Sequence, residues 1–516
     1  MSFTVAGFWR RRTLRIAATV LAAAIALVLV ALAAKWPFTN ARVLQSLHDG
    51  WPGPAKFAGI RSIYLPYPGC VMENVVLELP SPRAQQPARV TIAKARIEAR
   101  YWDLLLRPGR IARVSLEGLR VEIPTYGSKS NGSEESPRHA ASHLSMVFGT
   151  VDATQASVIV HRSDGKSPLN FDIYQLKLES VRGDAPIRYE ADLHNPLPPG
   201  AIHVQGRFGP WESRPINEIP LSGSYSFADA DLGVFDGIAG LLSSNGEFSG
   251  ALGRIDTKGA VQVPAFELKR ARHAVALAST FHAMVNATRG DVTLHEVDSS
   301  FLGTSVRGSG TIASAPGQQG KTASLDLTVQ RGRIQDVLRL FVTAQTPPMN
   351  GAAQFKTHVV IPPGQTPFLK KVTLTGQFSI AGAVLTNAAR QGDVNTLSKR
   401  ARGQKDLQET PPVSAQIEGD LKLRNRSAQF SFLKFEVPGA SIRMTGKYNL
   451  ETKAIDFHGD ARTQAKLSQQ TTGIKSVVLK PFDWVFKNKN AGADVRVGMT
   501  GTYERPHFGI EPPVKK

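Results

Sequence analysis

Ser441–Glu451 reads SIRMTGKYNLE, and its period decides the fold class. Ile442, Met444, Gly446, Tyr448 and Leu450 alternate with Ser441, Arg443, Thr445, Lys447, Asn449 and Glu451. Successive side chains of a strand point to opposite faces, so a period of two makes one apolar face and one polar face. The pattern returns in Val495–Tyr503, where Val495, Val497, Met499 and Tyr503 oppose Arg496, Gly498, Thr500 and Thr502. Leu325, Leu327 and Val329 form another set, as do Ile417, Leu421 and Leu423, and Phe378, Ile380 and Val384. The chain is mainly β.

Some strands change phase. Val114 and Leu116 share one parity, and Leu119, Val121 and Ile123 the other, with Gly118 between. A glycine at a phase change predicts a β-bulge. Glycine is common, with 45 residues, and pairs such as Thr375-Gly376, Thr445-Gly446 and Thr500-Gly501 recur inside strand-like runs. Their spacing is irregular, which describes a string of similar hairpins and not a repeat of fixed period.

Helical segments are few. Thr39 is placed to cap a helix from Asn40 to about His48, stopped by Asp49-Gly50 and Pro52. Asp336–Val342 reads as a short turn, and 385–407 as a polar, basic helix plus loop. Residues 474–487 set Ile474, Val477, Val478, Phe482, Val485 and Phe486 on one helical face. Lys475, Ser476, Lys480, Asp483 and Lys487 take the other, and Pro481 kinks the helix. This segment suits a membrane interface, a plug over a sheet end, or a helix packed on the protein's own core. Gly127–His139, GSKSNGSEESPRH, is a polar linker. The expected organisation is 1–35, 36–126, 127–140, 141–384, 385–412 and 413–516.

The segment 1–35 determines topology. Ile16–Ala34 is a run of 19 almost wholly apolar residues, behind Arg10, Arg11, Arg12 and Arg15 and ahead of Lys35. As a helix it covers about 28 Å, close to the hydrocarbon thickness of a bilayer. Upstream arginines predict a cytoplasmic N-terminus and an exported body. Ala31-Leu-Ala33 would also suit signal cleavage, but the run exceeds the roughly 7–15 residues of a signal core. A retained single-pass anchor is the expectation.

The formal charge of +20 suits a neighbour such as anionic headgroups. Nucleic acid is not expected, since zinc-finger spacing, basic heptads and aromatic RNA-binding signatures are all missing. The single cysteine, Cys70, permits no intramolecular disulfide and reads as a small buried hydrophobe. No H-E-x-x-H, G-x-S-x-G, P-loop or C-x-x-C motif is present. His273, His282 and His295 lack ligand spacing and read as surface or turn histidines. Asp229, Asp231 and Asp236 read as turn residues. No catalytic, metal or cofactor residues are therefore assigned, and an enzyme is not expected.

Four segments together resemble the AsmA family of bacterial envelope proteins. One is the single N-terminal span followed by a short helix. The second is Phe57–Ile123, with Val90-Thr-Ile-Ala-Lys-Ala-Arg-Ile, Trp102-Asp-Leu-Leu-Leu-Arg-Pro-Gly-Arg-Ile and Val114-Ser-Leu-Glu-Gly-Leu-Arg-Val-Glu-Ile. It is similar to the sheet unit also likened to chorein-type lipid bridges. The third is Leu221–Leu268, with Leu-Ser-Gly-Ser and Gly-Glu-Phe-Ser-Gly. The fourth runs from Gly473-Ile-Lys through Leu479-Lys-Pro-Phe to Gly501-Thr-Tyr-Glu-Arg-Pro-His-Phe.

The resemblance implies an inner-membrane anchor and a periplasmic body. It implies a long, curled, taco-like antiparallel sheet with an apolar groove, carrying phospholipid in support of outer-membrane biogenesis. An outer-membrane or periplasmic protein partner is the further expectation. The residue pattern adds its own argument: one-sided apolar strands must bury that side, and helices are too few to cover it. Ile442, Met444, Tyr448, Leu450, Val495, Val497 and Met499 are the candidate groove residues, and a closed sandwich core would use the same set. The alternative function is a non-transporting assembly or scaffold factor for outer-membrane proteins.

Overall fold

In a computed structural model the chain is described over residues 36–50, 53–79, 87–107, 109–123, 147–161, 167–211, 214–287, 289–314, 320–364, 366–402, 411–464, 495–502 and 505–510, with Leu32 besides. Arg10, Arg11, Arg12, Arg15 and the run Ile16–Ala34 lie outside these residues, Leu32 excepted, as do 127–140 and the segment 474–487. Among the described residues no helix is long and apolar enough to cross a membrane. The chain divides into two compact units, 1–225 with 249–252, and 226–248 with 253–516.

The first unit opens with α1 (Asn40–Gly50), β1 (Ala55–Lys56), β2 (Gly59–Ile63), β3 (Gly69–Leu79) and β4 (Ala88–Glu98). It continues with α2 (Tyr101–Leu106), β5 (Arg110–Ile123), β6 (Val147–Val160), β7 (Leu169–Val181), β8 (Ile187–Pro196) and β9 (Pro199–Phe208). From β2 to β9 each strand pairs with the next, antiparallel except for β5 and β6. That parallel pair departs from the expected all-antiparallel sheet. It is joined through 124–146, long enough for the crossover that parallel neighbours require. The Thr39 hydroxyl accepts from the Arg42 N–H at 3.4 Å, in the capping role read from sequence.

The phase change at Gly118 is present, but it is not a bulge. β4 and β5 keep register across it, Ile92 opposite Leu119 and Lys94 opposite Glu117. The registers of β3 with β4 and of β5 with β6 align Asn74, Ala93, Gly118 and Gln155 in one row. Asn74, Gly118 and Gln155 have φ of 54°, 64° and 53°. Neighbouring strands thus change face together, and no residue is extra. A change in one strand alone would set apolar side chains against polar ones across the ladder. Gly118 has a further constraint, since a Cβ there would lie 2.9 Å from the Ala93 Cβ.

The core of this unit gathers Trp36, Phe38, Val43, Cys70, Met72, Val75 and Ile92, with Tyr101 and Leu104 of α2 against it. Cys70 is wholly buried, and burial pushes its thiol up to about 11.

The chain continues through β10 (Pro220–Asp231), β11 (Ile238–Ala239), β12 (Leu241–Ala251), β13 (Arg254–Leu268), β14 (Val275–Asn286), β15 (Asp291–Phe301), β16 (Thr304–Ser314) and β17 (Lys321–Arg333). Then come α3 (Ile334–Phe341), β18 (Met349–Ile361), α4 (Phe368–Lys371), β19 (Thr373–Leu385), α5 (Ala388–Ala401), β20 (Ala415–Arg424), β21 (Ser427–Val437), β22 (Ala440–Asn449), β23 (Ala454–Thr463), β24 (Val495–Thr502) and β25 (Pro506–Ile510). In the second unit every strand from β13 to β25 pairs antiparallel with the next. Among the described residues no pairing returns from β25 to an earlier strand, so this ladder is not closed.

Two boundaries differ from the sequence reading. β22 ends at Asn449, whose side-chain oxygen accepts from the N–H groups of Glu451 and Thr452, both at 2.9 Å. That turn places Leu450 beyond the strand. In β19 the register shifts between Ile380 and Ala383, beside Gly382 at φ 64°. Ala383, opposite Ala415, therefore continues the face of Phe378 and Ile380, and Val384 opposite Asn350 turns to the other side.

Candidate functional site

Residues directly opposite in a ladder share a face, so the register can be read across strands. One row in the second unit runs Leu327, Thr357, Gly376, Leu421, Phe430, Gly446, Phe457, Met499 and Phe508. Beside it run Leu325, Val359, Leu374, Leu423, Ala428, Tyr448 and Ile455. A third row contains Val329, Phe355, Phe378, Gly419, Leu433, Met444 and Val497. The first row crosses nine strands, roughly 38 Å at about 4.8 Å each.

The sequence-predicted groove residues of β22 and β24 fall on this face, and Leu450 does not. Ile442, Met444 and Tyr448 come from β22, and Val497 and Met499 from β24. Val495 pairs with Ala461, which pairs with Ile442. Ile442 and Val497 are buried, whereas Met444, Tyr448 and Met499 are half-buried. Leu450 is half-buried in its turn. The candidate interfacial residues Ile474, Lys475, Val478, Lys480, Phe482, Val485 and Phe486 lie outside the described residues.

Cover is uneven. Val394, Leu397 and Ala401 of α5 bury Ile380, Ala383, Ala415, Val437, Ile442, Ala461 and Val497 at one end. Gln391 holds α5 in place: its side chain accepts from the Leu385 N–H at 2.8 Å and donates to the Val413 carbonyl at 2.9 Å. The Ser398 hydroxyl donates to the Pro438 carbonyl at 2.7 Å. α3 groups with Val275 and Phe301, and its buried Asp336 accepts from the Thr304 hydroxyl at 2.9 Å. Among the described residues the middle rows have no such helix over them. Leu325, Leu327, Val359, Leu374, Leu421, Leu423, Phe430 and Tyr448 stay half-buried and belong to neither cluster.

Aromatic rings pave this face over glycines, a feature the sequence did not disclose. Phe430 lies 6.5 Å from Phe378 and 5.5 Å from Phe457, centroid to centroid. A Cβ on Gly419 would meet the Phe378 ring at 2.8 Å, and one on Gly446 the Phe457 ring at 2.7 Å. Each ring covers backbone that a glycine leaves bare. A pair such as Thr445-Gly446 is legible in sequence, but the ring over each glycine comes from another strand.

The opposite face is charged and solvated. Asp326, His358, Thr375, Lys422, Gln429, Lys447 and Asp456 make one cross-strand row. They line an open trough of about 900 Å³. His358 Nδ1 lies 2.8 Å from Asp326, and His458 Nε2 2.8 Å from Asp456. The hydrogen bond from His458, aided by Lys447, holds the Asp456 carboxyl below its usual range. His282 does the same for Asp256 at 2.7 Å. The His295 ring lies 5.0 Å from that of His282, tilted by 47°, while His273 is buried and lies 3.1 Å from the Ala344 carbonyl. Asp231 accepts from the Gly233 N–H at 2.7 Å, a turn role. Among the described residues no cluster of His, Cys, Asp or Glu could hold a metal ion.

The first unit repeats the one-sided pattern. Val121, Val158 and Phe171 share one row, and Ile173, Leu193 and Ile202 another, all half-buried.

Compared with protein-family models, curated proteins and solved structures, the chain matches none. The reading of function therefore stands on the residues and their geometry.

Proposed function

We propose that this is a membrane-anchored, exported β-rich protein that binds or conducts phospholipid along its apolar sheet face, as the resemblance to the AsmA family implies. The reading places the anchor in the inner membrane, the body in the periplasm, and the purpose in outer-membrane biogenesis. One observation carries it: most side chains of the middle apolar rows, from Leu325 and Leu327 to Tyr448, are only half-buried, with Ala428, Ile455 and Phe457 the buried exceptions and no second layer among the described residues. A sandwich core would bury these side chains. Acyl chains supply the missing layer, each buried methylene contributing about 0.8 kcal/mol, while headgroups stay in water. Such a role uses binding and no bond chemistry, so catalytic groups are not required.

The test compares adjacent positions on opposite faces. A photo-crosslinking amino acid is placed at Leu374 or Leu421, and at Thr375 or Lys422, in the full chain in cells. Phospholipid adducts at the first pair and not the second are expected. Equal labelling of both faces would sink the proposal. Specific protein adducts at Leu374 and Leu421 would favour the scaffold reading.

A further inference from the structure

Tyr64, Leu65 and Tyr67 stand on the loop between β2 and β3, 61%, 79% and 54% exposed. Trp102 and Leu106 on α2 are 73% and 71% exposed, and their spacing of four puts them on one helix face. The two segments are tied together. The Tyr101 hydroxyl donates to the Tyr64 carbonyl, and the Ala99 N–H to the Pro68 carbonyl at 2.8 Å. Large apolar side chains grouped at such exposure mark an interaction surface. Exposed Arg100, Arg107 and Arg110 flank it, and Asp103 is half-buried on the same helix.

The chain entering this patch indicates its occupant. Trp36 stacks on Tyr64 with ring centroids 4.9 Å apart at 26°. Trp36 follows Ala34, the end of the apolar run, by two residues, a reach of at most about 7 Å. The interfacial layer flanking the hydrocarbon is roughly 5–8 Å deep. A run that spans the bilayer therefore delivers Trp36 and Tyr64 to headgroup level, where Trp and Tyr are favoured. The flanking arginines complement anionic headgroups.

We propose that this patch docks on the anionic phospholipid surface of the same bilayer, with Trp102 and Leu106 entering the headgroup layer. The proposal rests on Ile16–Ala34 being a membrane anchor and is independent of lipid on the sheet face. It seats the first strands at the membrane instead of leaving them on a free tether.

A nitroxide at Leu106→Cys tests it, in the full chain reconstituted in vesicles of phosphatidylcholine and phosphatidylglycerol. Buried Cys70, its thiol pushed up by burial, leaves a clean background. A nitroxide at Thr375→Cys, on the charged face, is the reference for water. At position 106, collisions with oxygen should rise and those with a soluble nickel complex fall, at a depth of about 5–10 Å. A position 106 as open to nickel as position 375 overturns the proposal. A carbonate wash reads the anchor separately: a chain that washes off after showing a lipid-buried label keeps the docking and loses the anchor. As a second measurement, brominated phospholipid should quench tryptophan emission, and Trp102→Phe should remove part of that quenching. Unchanged quenching in that variant counts against docking.

Discussion

The two ends of one apolar face in the second unit carry the same residue types and differ in cover. Ile380, Ala415 and Ile442 lie buried under α5, while Leu374, Leu421 and Tyr448, a few residues along the same three strands, stay half-buried. Both sets obey the same period of two. The difference teaches that alternation marks a face, and that only a covering element makes it a core. The covered end stabilises the fold; the open rows remain available to a ligand.

Substitutions can break that contrast. The largest expected effect is Ile442→Glu, which buries a charge beneath α5 and should cost more than ~4 kcal/mol, read as loss of cooperative chemical unfolding. Leu397→Ala removes the helix contact itself and should cost about 2–5 kcal/mol, with faster hydrogen exchange in β22 and β24. Gly446→Val sets a side chain against the Phe457 ring and the Asp456 carbonyl and should cost about 1–3 kcal/mol. Leu421→Glu tests the open rows: a change of roughly 1 kcal/mol or less in unfolding, with loss of lipid crosslinking at Leu374. A loss as large as that of Ile442→Glu would mean that the open rows are a core after all.

The smallest effect lies on the charged face. Asp256 titrates below its usual value because His282 hydrogen-bonds to it. The stability this contributes is present above the unfolded Asp value, about 3.9, and is lost as pH falls through the lowered native value. His282→Ala should therefore lower stability slightly above about pH 4, leave it unchanged in strong acid, and so weaken the acid dependence of unfolding. The two side chains are 36% and 49% exposed, so solvent screens the pair and it adds little to overall stability.

Much of the fold was legible because a strand's period is local. The helix over Asn40–Gly50, the strand from Val495 and the helix inside 385–407 follow from neighbours in sequence. A period-two count groups Val384 with Phe378 and Ile380, because it has no means of registering the bulge that reverses parity between them. Gly118 reads as a bulge in sequence because a single strand cannot show that its neighbours turn at the same row. Nothing in the local pattern marks Trp102 and Leu106 as exposed, since their burial is set by how α2 packs beside the loop between β2 and β3.

The sequence by itself determined that the chain is built of one-sided strands, that Cys70 stays single, and that one apolar run precedes the body. These are properties of local period, count and length. Tertiary structure alone decided which apolar side chains α5 buries, which aromatic ring lies over which glycine, and that Tyr64 meets Trp36. Each depends on cross-strand register and helix placement, which bring together residues far apart in the chain.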